Sequence, residues 1–403
     1  AVPVVSVGDY VRVGQKLARG EGSITCEVHA TVSGTVLSLD PMPELFGNDL
    51  PVIRIENDGK MEADPTLAPR TAEDLAAFVE DLHESGIVGL GGAAFPVDWK
   101  FDAALRHNVK TMLINGAECE PYVTSDNRMM LDHGEDIRRG IEILRKYVKP
   151  DNFVFAIENN KPHAIAAMKE LFADDPTMSI VELPSSYPQG AKQMILYNAL
   201  GKVVYAGQRF ATLGVIIINV TTLAKVAKFM DTGMPLVDRV VTVDGSAIKE
   251  PKNLLVPIGT PYRYLVEAAG GLKCEPGRVV NGGPMMGHAV PSLDYPVLKT
   301  TGSVLVFSEA DSVIHEPTPC IHCGRCVSHC PMNLNPTAFS DDLEEENGDK
   351  RALLLDRDHV NFCIECGSCS YVCPAHRPLA ENNRAAKKYL KKYKADHAEG
   401  GKK

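Results

Sequence analysis

Residues Cys320 to Cys373 constrain this chain more than any other stretch. They read Cys320-x2-Cys323-x2-Cys326-x3-Cys330-Pro331, and then Cys363-x2-Cys366-x2-Cys369-x3-Cys373-Pro374. Spacings of two residues wrap one loop of backbone around a cube of iron and sulfide, so that three thiolates reach three irons. The fourth cysteine lies one short turn further on and faces the neighbouring cube. The pattern predicts two [4Fe–4S] clusters, one held by Cys320, Cys323, Cys326 and Cys373, the other by Cys363, Cys366, Cys369 and Cys330. Gly324 and Gly367 permit the tight wrap, and Pro331 and Pro374 end each loop. Structural zinc and disulfides are the alternatives. Zinc sites usually join cysteine pairs across a longer gap, and clusters need the reduced thiols of a reducing compartment. The other cysteines, Cys26, Cys119 and Cys274, are scattered and read as small buried hydrophobes.

At 403 residues the chain has room for two to three domains at about 150 residues each. Its 44% hydrophobic and 23% charged residues suit a globular protein with a sizeable core. A net charge of −10 argues against general nucleic-acid binding. The longest apolar run, Leu213 to Val220, contains Gly214 and Asn219; it is too short to span a bilayer and reads as a buried strand. No signal peptide is evident. The expectation is a protein that is soluble, or held at a membrane by a partner. Because the chain begins at Ala1 rather than a methionine, further residues are expected upstream.

Residues 1–60 read as short strands around glycine turns, a β module resembling half of a lipoyl- or biotinyl-type barrel. No lysine stands at a hairpin tip to carry such a cofactor, so the module reads as structural. Residues 61–70 form a polar, proline-bearing linker, and a helix is expected from Thr71 to about Glu84. Then comes Gly89-Leu90-Gly91-Gly92-Ala93-Ala94-Phe95-Pro96, with Lys100 just beyond. Clustered glycines let backbone approach a ligand closely, and a following helix offers its first N–H groups to a phosphate. By itself such a loop is equally a structural turn.

Strand and helix patterns then alternate to about residue 222, which implies a parallel sheet with helices on both faces. Ligands in such sheets sit beyond the carboxyl ends of the strands. Asn115, Glu118, Glu120, Asn159, Asn219 and Thr222 fall there, although an Asn or Thr at such a place also serves as a helix cap. Residues 236–310 read as a small α+β domain, with Met285 and Met286 as packing. Asp341 to Arg357 reads as one acidic helix. The basic residues after Leu379 read as a solvated, fraying terminal helix, with docking to an acidic partner or anionic lipid as the alternative.

Glycine loop, acidic loop, Asn-Val-x-Thr strand end, α+β domain and double cluster occur here in one order. That order resembles RnfC, the family of C-type subunits of the Rnf electron-transport complex, over nearly the whole chain. The central domain is also similar to the flavoprotein subunit of respiratory complex I. The resemblance implies a multidomain α/β chain: an N-terminal lipoyl-like β module (1–60), a Rossmann-like FMN- and NADH-binding domain (61–235), a β-grasp-like domain (236–310), a two-cluster ferredoxin-like domain (311–380) and a basic tail (381–403). It implies that Gly89, Gly91, Gly92 and Lys100 contact non-covalent FMN, with Phe95 on the nicotinamide side. Asn115, Glu118 and Glu120 match the acidic loop beside flavin and NADH, Asn219 and Thr222 the strand end meeting FMN, and Tyr187 and Gly190 the loop opposite. Two departures stand out: Ala94 replaces a commoner glycine, and a glutamate usual after Gly190 is missing where Ala191 leads to Lys192.

These parts imply one circuit. A nicotinamide exchanges two electrons as hydride, a cubane cluster carries one, and a flavin between them handles both. The reaction implied is ferredoxin:NAD+ oxidoreduction, as a peripheral subunit on the cytoplasmic side of the membrane, with ion translocation left to partner subunits. Two alternatives share the scaffold: a flavin and iron–sulfur corrinoid reductase, and a non-enzymatic electron-transfer scaffold without flavin.

Overall fold

The computed structural model describes residues 1–22, 24–43, 49–92, 94–205 and 207–398. The chain divides into two compact units, Ala1–Asp311 and Ser312–Lys403. In the first, strands Val2–Pro3, Lys16–Arg19 and Val28–His29 form one small sheet, and Tyr10–Val11, Gly34–Ser38 and Arg54–Asn57 another. Val11, Leu17, Ala30 and Val36 bury their side chains in a small core, giving the expected barrel-like module.

The central domain opens with helix α1 (Leu75–Glu84). It starts later than Thr71 because Asp74, not Thr71, is the cap: its carboxylate accepts from the N–H of Ala77 at 2.9 Å. Next come α2 (Val97–Arg106), β1 (Thr111–Gly116), α3 (Ser125–Asp132), α4 (Gly134–Tyr147), β2 (Asn152–Glu158), α5 (Pro162–Leu171), β3 (Met178–Leu183), α6 (Lys192–Leu200), β4 (Val215–Asn219) and α7 (Val220–Thr232). The four strands are parallel in the order β3-β2-β1-β4. Alternation along each strand splits the core. Met112, Ile114, Phe153, Phe155 and Ile216 join one apolar cluster with α4 and α7. Leu113, Val154, Ala156 and Ile217 join another with Ile195 and Leu196 of α6. Truncating a sealed ring such as Phe155 to alanine costs roughly 3–5 kcal/mol.

A second sheet follows, from β5 (Asp238–Asp244), β6 (Lys252–Pro257), helix α8 (Tyr262–Ala268), β7 (Pro276–Asn281), β8 (His288–Val290) and β9 (Ser303–Ser308). Its order is β6-β5-β9-β7-β8, with only β5 and β9 parallel. Tyr262, Leu265 and Val266 of α8 pack onto it, the β-grasp arrangement expected.

The second unit holds α9 (Arg325–Ser328), α10 (Pro336–Leu343), α11 (Gly348–Arg357), α12 (Ser368–Tyr371) and α13 (Leu379–Ala398). Two expectations need correction. The acidic stretch 341–357 is not one helix: α10 stops at Leu343, and Asn347 caps α11 by accepting from the N–H of Lys350 at 2.9 Å. The Asn-Gly pair overrides the helix-favouring glutamates before it. The basic segment from 381 is not a solvated tail either. Helix α13 buries Leu379, Asn383, Ala386 and Leu390 at helical spacing, and Ala386 and Leu390 pack with Phe339, Leu355 and Val360. Lys402 and Lys403 lie outside the described residues.

Candidate functional site

The strand order of the parallel sheet reverses between β1 and β4, since the chain steps outward from β1 to β3 and then returns. Asn115 and Asn219 stand opposite each other at the two carboxyl ends. Such a reversal opens the crevice in which open α/β sheets bind ligands. The glycine loop lies over it. Leu90 donates its N–H to Thr222 Oγ1 at 2.9 Å. At Gly91 a Cβ would stand 3.2 Å from Asn219 Nδ2, so a larger residue would push the loop off the strand end. At Gly92 the backbone has φ +105° and nothing lies within 4 Å of a Cβ position: the chain there faces open space. Gly89 N–H to Phe95 O at 2.8 Å and Ala94 N–H to Gly89 O at 3.2 Å close the loop. Ala94 sits at φ +45°, left-handed backbone that favours the glycine it replaces. Ala93 lies outside the described residues. Phe95 meets Trp99 edge to face at 6.3 Å.

Lys100 is on α2, and Lys192 begins α6. Burial, then the neighbouring charge of Lys192, push the Lys100 ammonium down to about 7. Burial lowers Lys192 as well. Among the described residues neither has a carboxylate partner. Two half-buried cations facing each other without an anion form a site prepared for one, and this chemistry fits a phosphate. Arg239, fully buried behind the loop, holds it from below through the carbonyl of Leu90 at 3.4 Å and through Lys299 O.

The predicted carboxylates are engaged with backbone. Glu118 accepts from the N–H groups of Asp126 (2.8 Å) and Asn127 (3.2 Å), capping α3. Its burial, reinforced by Asp126, pushes it up to about 7. Asp126 in turn accepts from Asn219 Nδ2 at 2.7 Å and Thr221 Oγ1 at 2.6 Å, while Asn219 Oδ1 caps α7 at Thr222 N. Glu120 accepts from the N–H groups of Met285 (3.0 Å) and Met286 (2.9 Å) and from Tyr187 Oη at 3.5 Å. The methionine pair, expected as packing, thus uses its backbone to clasp the crevice. Asn115 Nδ2 donates to Gly190 O at 3.0 Å, and Gly190 N–H to Cys119 Sγ at 3.4 Å, so the Tyr187–Gly190 loop is tied to the end of β1. Asn159 Oδ1 instead holds Ser185 N–H at 3.1 Å, outside this network.

In the second unit a cavity is lined by Cys330, Cys363, Cys366 and Cys369 together. Burial, then the fields of Cys363, Cys366 and Cys330, push the Cys369 thiol up to about 12. Cys326 is likewise raised by burial and by Cys373 and Cys320. The structure therefore groups the cysteines as one set from the second repeat with Cys330, and one from the first with Cys373. Both loops repeat the same backbone: His322 and Glu365 at φ +54° and +57°, Gly324 and Gly367 at +73° and +80°. His322 N–H points to Cys320 Sγ and Glu365 N–H to Cys363 Sγ, both at 3.4 Å. From α13, Asn383 Nδ2 reaches Cys363 Sγ at 3.6 Å and Cys369 Sγ at 3.9 Å.

Family models match residues 1–60 (RnfC barrel sandwich hybrid domain), 82–228 (Nuo51 FMN-binding domain), 240–289 (SLBB domain) and 312–374 (4Fe-4S dicluster domain). The chain is 36% identical over 391 residues to the RnfC-type component of the proton-translocating ferredoxin:NAD(+) oxidoreductase complex of Clostridium ljungdahlii, covering 95% of this chain and 85% of that one. It is 37% identical to the counterpart in the Na(+)-translocating complex of Acetobacterium woodii, covering 86% and 79%. The chain belongs to the RnfC family. A chain of an NAD+-reducing [NiFe]-hydrogenase shares its fold with a TM-score of 0.54 at 17% identity, covering 79% of this chain and 63% of that one. The FMN-binding match of this RnfC-family chain spans the glycine loop, the switch point and both lysines, and the dicluster match spans all eight repeat cysteines. Among the described residues no helix is long and apolar enough to cross a membrane.

Sequence reasoning does not reach Lys192, Asp126, Arg239 or Asn383. Asp126 hides in a Thr-Ser-Asp run that looks like a cap. Nothing local to Arg239 or Asn383 marks them.

Proposed function

We propose that the chain is the NAD(H)-reactive subunit of a ferredoxin:NAD+ oxidoreductase complex whose other subunits translocate ions. The observation that carries this reading is the crevice itself: a glycine cradle open at Gly92, over a sheet switch point, beside two lysines with no anion. Gly89, Gly91 and Gly92 would admit the FMN ring and ribityl chain, and Lys100 and Lys192 its phosphate. Cys320, Cys323, Cys326 and Cys373 would hold one [4Fe–4S] cluster, and Cys363, Cys366, Cys369 and Cys330 the other. When bound, these groups supply two-electron exchange with a nicotinamide and one-electron exchange along the chain.

The residues of the chain bind, position and tune. Thr222, Asn219 and Asp126 hold the glycine loop at a fixed height over β4. Glu120 draws the loop after β7 onto the crevice, where Tyr187 and Phe95 are assigned to the nicotinamide side. Glu118 keeps α3 capped and, half-protonated near neutrality, adds little negative charge beside the reducible site. On the cluster side, the backbone N–H groups of His322 and Glu365 and the side-chain amide of Asn383 donate to cysteine sulfur. Such donors stabilise the more negative, reduced state and so raise the potential.

Two measurements on anaerobically purified protein test this. About one flavin to eight irons is expected from two cubane clusters, and NADH should bleach the flavin absorbance. Protein that carries iron but stays yellow with NADH would remove the dehydrogenase reading. The cytoplasmic side of the membrane is proposed because NAD(H) and reduced thiols are found there. Protease protection of an epitope on this chain in right-side-out vesicles, and cleavage in inverted ones, would support it.

A further inference from the structure

Helix α13 presents a basic groove to solvent. Arg384, Lys387, Lys388, Lys391 and Lys394 line it together with Asn361 and Glu365, around a volume of about 470 Å³. Their spacing of three and four residues puts all five cations along one face of the helix. Glu365 engages Arg384 (3.2 Å) and Lys387 (2.5 Å), and Asp356 engages Lys394 (2.5 Å). Five cations thus meet two carboxylates. Lys388 and Lys391 are exposed and have no acidic partner among the described residues. The groove also touches the cluster loop: Lys387 Nζ donates to the carbonyl of Cys363 at 2.8 Å, and Glu365 stands between Cys363 and Cys366.

We propose that this groove is the docking site of an acidic one-electron carrier protein. Three observations select that occupant. The chain carries a net charge of −10, so an acidic protein is repelled by most of its surface and steered to the patch of opposite sign. The groove backs onto the loop holding Cys363, so a protein seated there lies against a cluster ligand. The unmatched lysines are exposed, which suits a transient, charge-steered encounter rather than a permanent apolar interface. On transfer the carrier loses one electron and the chain gains one, with no bond made or broken. The proposal rests on the cluster assignment above.

The test uses the full chain with its clusters and an acidic [2Fe–2S] ferredoxin as probe. Affinity is measured by calorimetry with both proteins oxidised, at low and high salt, and iron is assayed in every sample. Lys388→Glu/Lys391→Glu should weaken binding at low salt by at least about tenfold and flatten its salt dependence. Lys388→Gln/Lys391→Gln should fall between, and Lys249→Glu/Lys273→Glu should bind as the parent does. Unchanged affinity in the charge-reversed variant would overturn the proposal. So would loss of binding to vesicles containing phosphatidylglycerol with ferredoxin affinity intact, which would make the groove a lipid contact. A parent chain without iron would instead sink the cluster assignment; a parent with about eight irons that fails to bind the probe sinks the docking site alone.

Discussion

Replacing Lys100 with methionine separates what this lysine does for ligand binding from what it does for folding. In the ligand-free protein its ammonium falls from 10.5 to about 7, first through burial and then through Lys192. At about 1.36 kcal/mol per pH unit that fall corresponds to ~4–5 kcal/mol. Lys100 is half-buried rather than sealed, and solvent screening brings the penalty to roughly 2 kcal/mol. The unfolded chain keeps the proton up to about 10.5, the folded chain only to about 7. The penalty is therefore complete below pH 7 and shrinks as pH rises from 7 to 10.5, so stability climbs across that window. Lys100→Met removes the penalty while keeping most of the apolar stem. Deflavinated Lys100→Met should melt several degrees higher than the parent at about pH 6, with the gap closing toward about pH 10.

Flavin binding should move the other way. A charge-assisted bond to phosphate is worth about 1.5–3 kcal/mol, so Lys100→Met should weaken FMN by roughly 10- to 100-fold in a fluorescence-quenching titration. In the parent, FMN affinity should fall by about tenfold from about pH 6 to about pH 8, because the phosphate takes the protonated lysine, and the variant should lose that slope. Opposite signs for stability and affinity are the signature of a group held for a ligand at the expense of the empty fold. A variant that melts lower in mild acid, or that binds FMN as tightly as the parent, refutes the reasoning.

Ala94→Gly relieves left-handed backbone and should stabilise the apoprotein by about 1 kcal/mol with flavin retained, read by chemical denaturation. Cys330→Ser should abolish the cluster signal shared with Cys363, Cys366 and Cys369 and leave the other, whereas Cys326→Ser should do the reverse, resolved by electron paramagnetic resonance of the reduced protein. Asn383→Leu removes two N–H···S contacts and should shift the midpoint of one cluster to more negative potential in a redox titration, with iron content unchanged. Glu120→Ala frees the Met285–Met286 loop and Tyr187 together; the expected result is a raised KM for NADH with flavin content preserved, measured by steady-state kinetics.

How legible each feature is in the sequence follows the distance over which it is determined. The two cysteine repeats specify a loop within a dozen residues, and the structure folds both with the same positive-φ pattern at 322/365 and 324/367. The alternation of strands and helices is equally readable, and with it the placing of Asn115 and Asn219 at one switch point. What escapes depends on partners far along the chain. Arg239 lies about 150 residues from the Leu90 carbonyl it supports. Lys192 meets Lys100 only because α6 and α2 converge on the crevice. The acidic loop is expected to face a cofactor, yet Glu118 and Glu120 have their oxygens on backbone N–H groups, contacts that no spacing rule announces. Helix α13 reads as a tail because its many charges mask the apolar residues at 379, 386 and 390.

Local rules fail in this chain at particular places, and those places coincide with the proposed chemistry. Ala94 occupies backbone that alanine avoids, two lysines are buried together, and two glutamates are pushed toward neutrality. A fold selected for stability alone would replace Ala94 with glycine and give Lys100 a carboxylate. Each such repair would alter the surface that Gly92 leaves open, either by moving the loop or by supplying the anion internally. Strain gathered at one crevice, with the surrounding sheets packed in the ordinary way, therefore points to a ligand there without appeal to any resemblance.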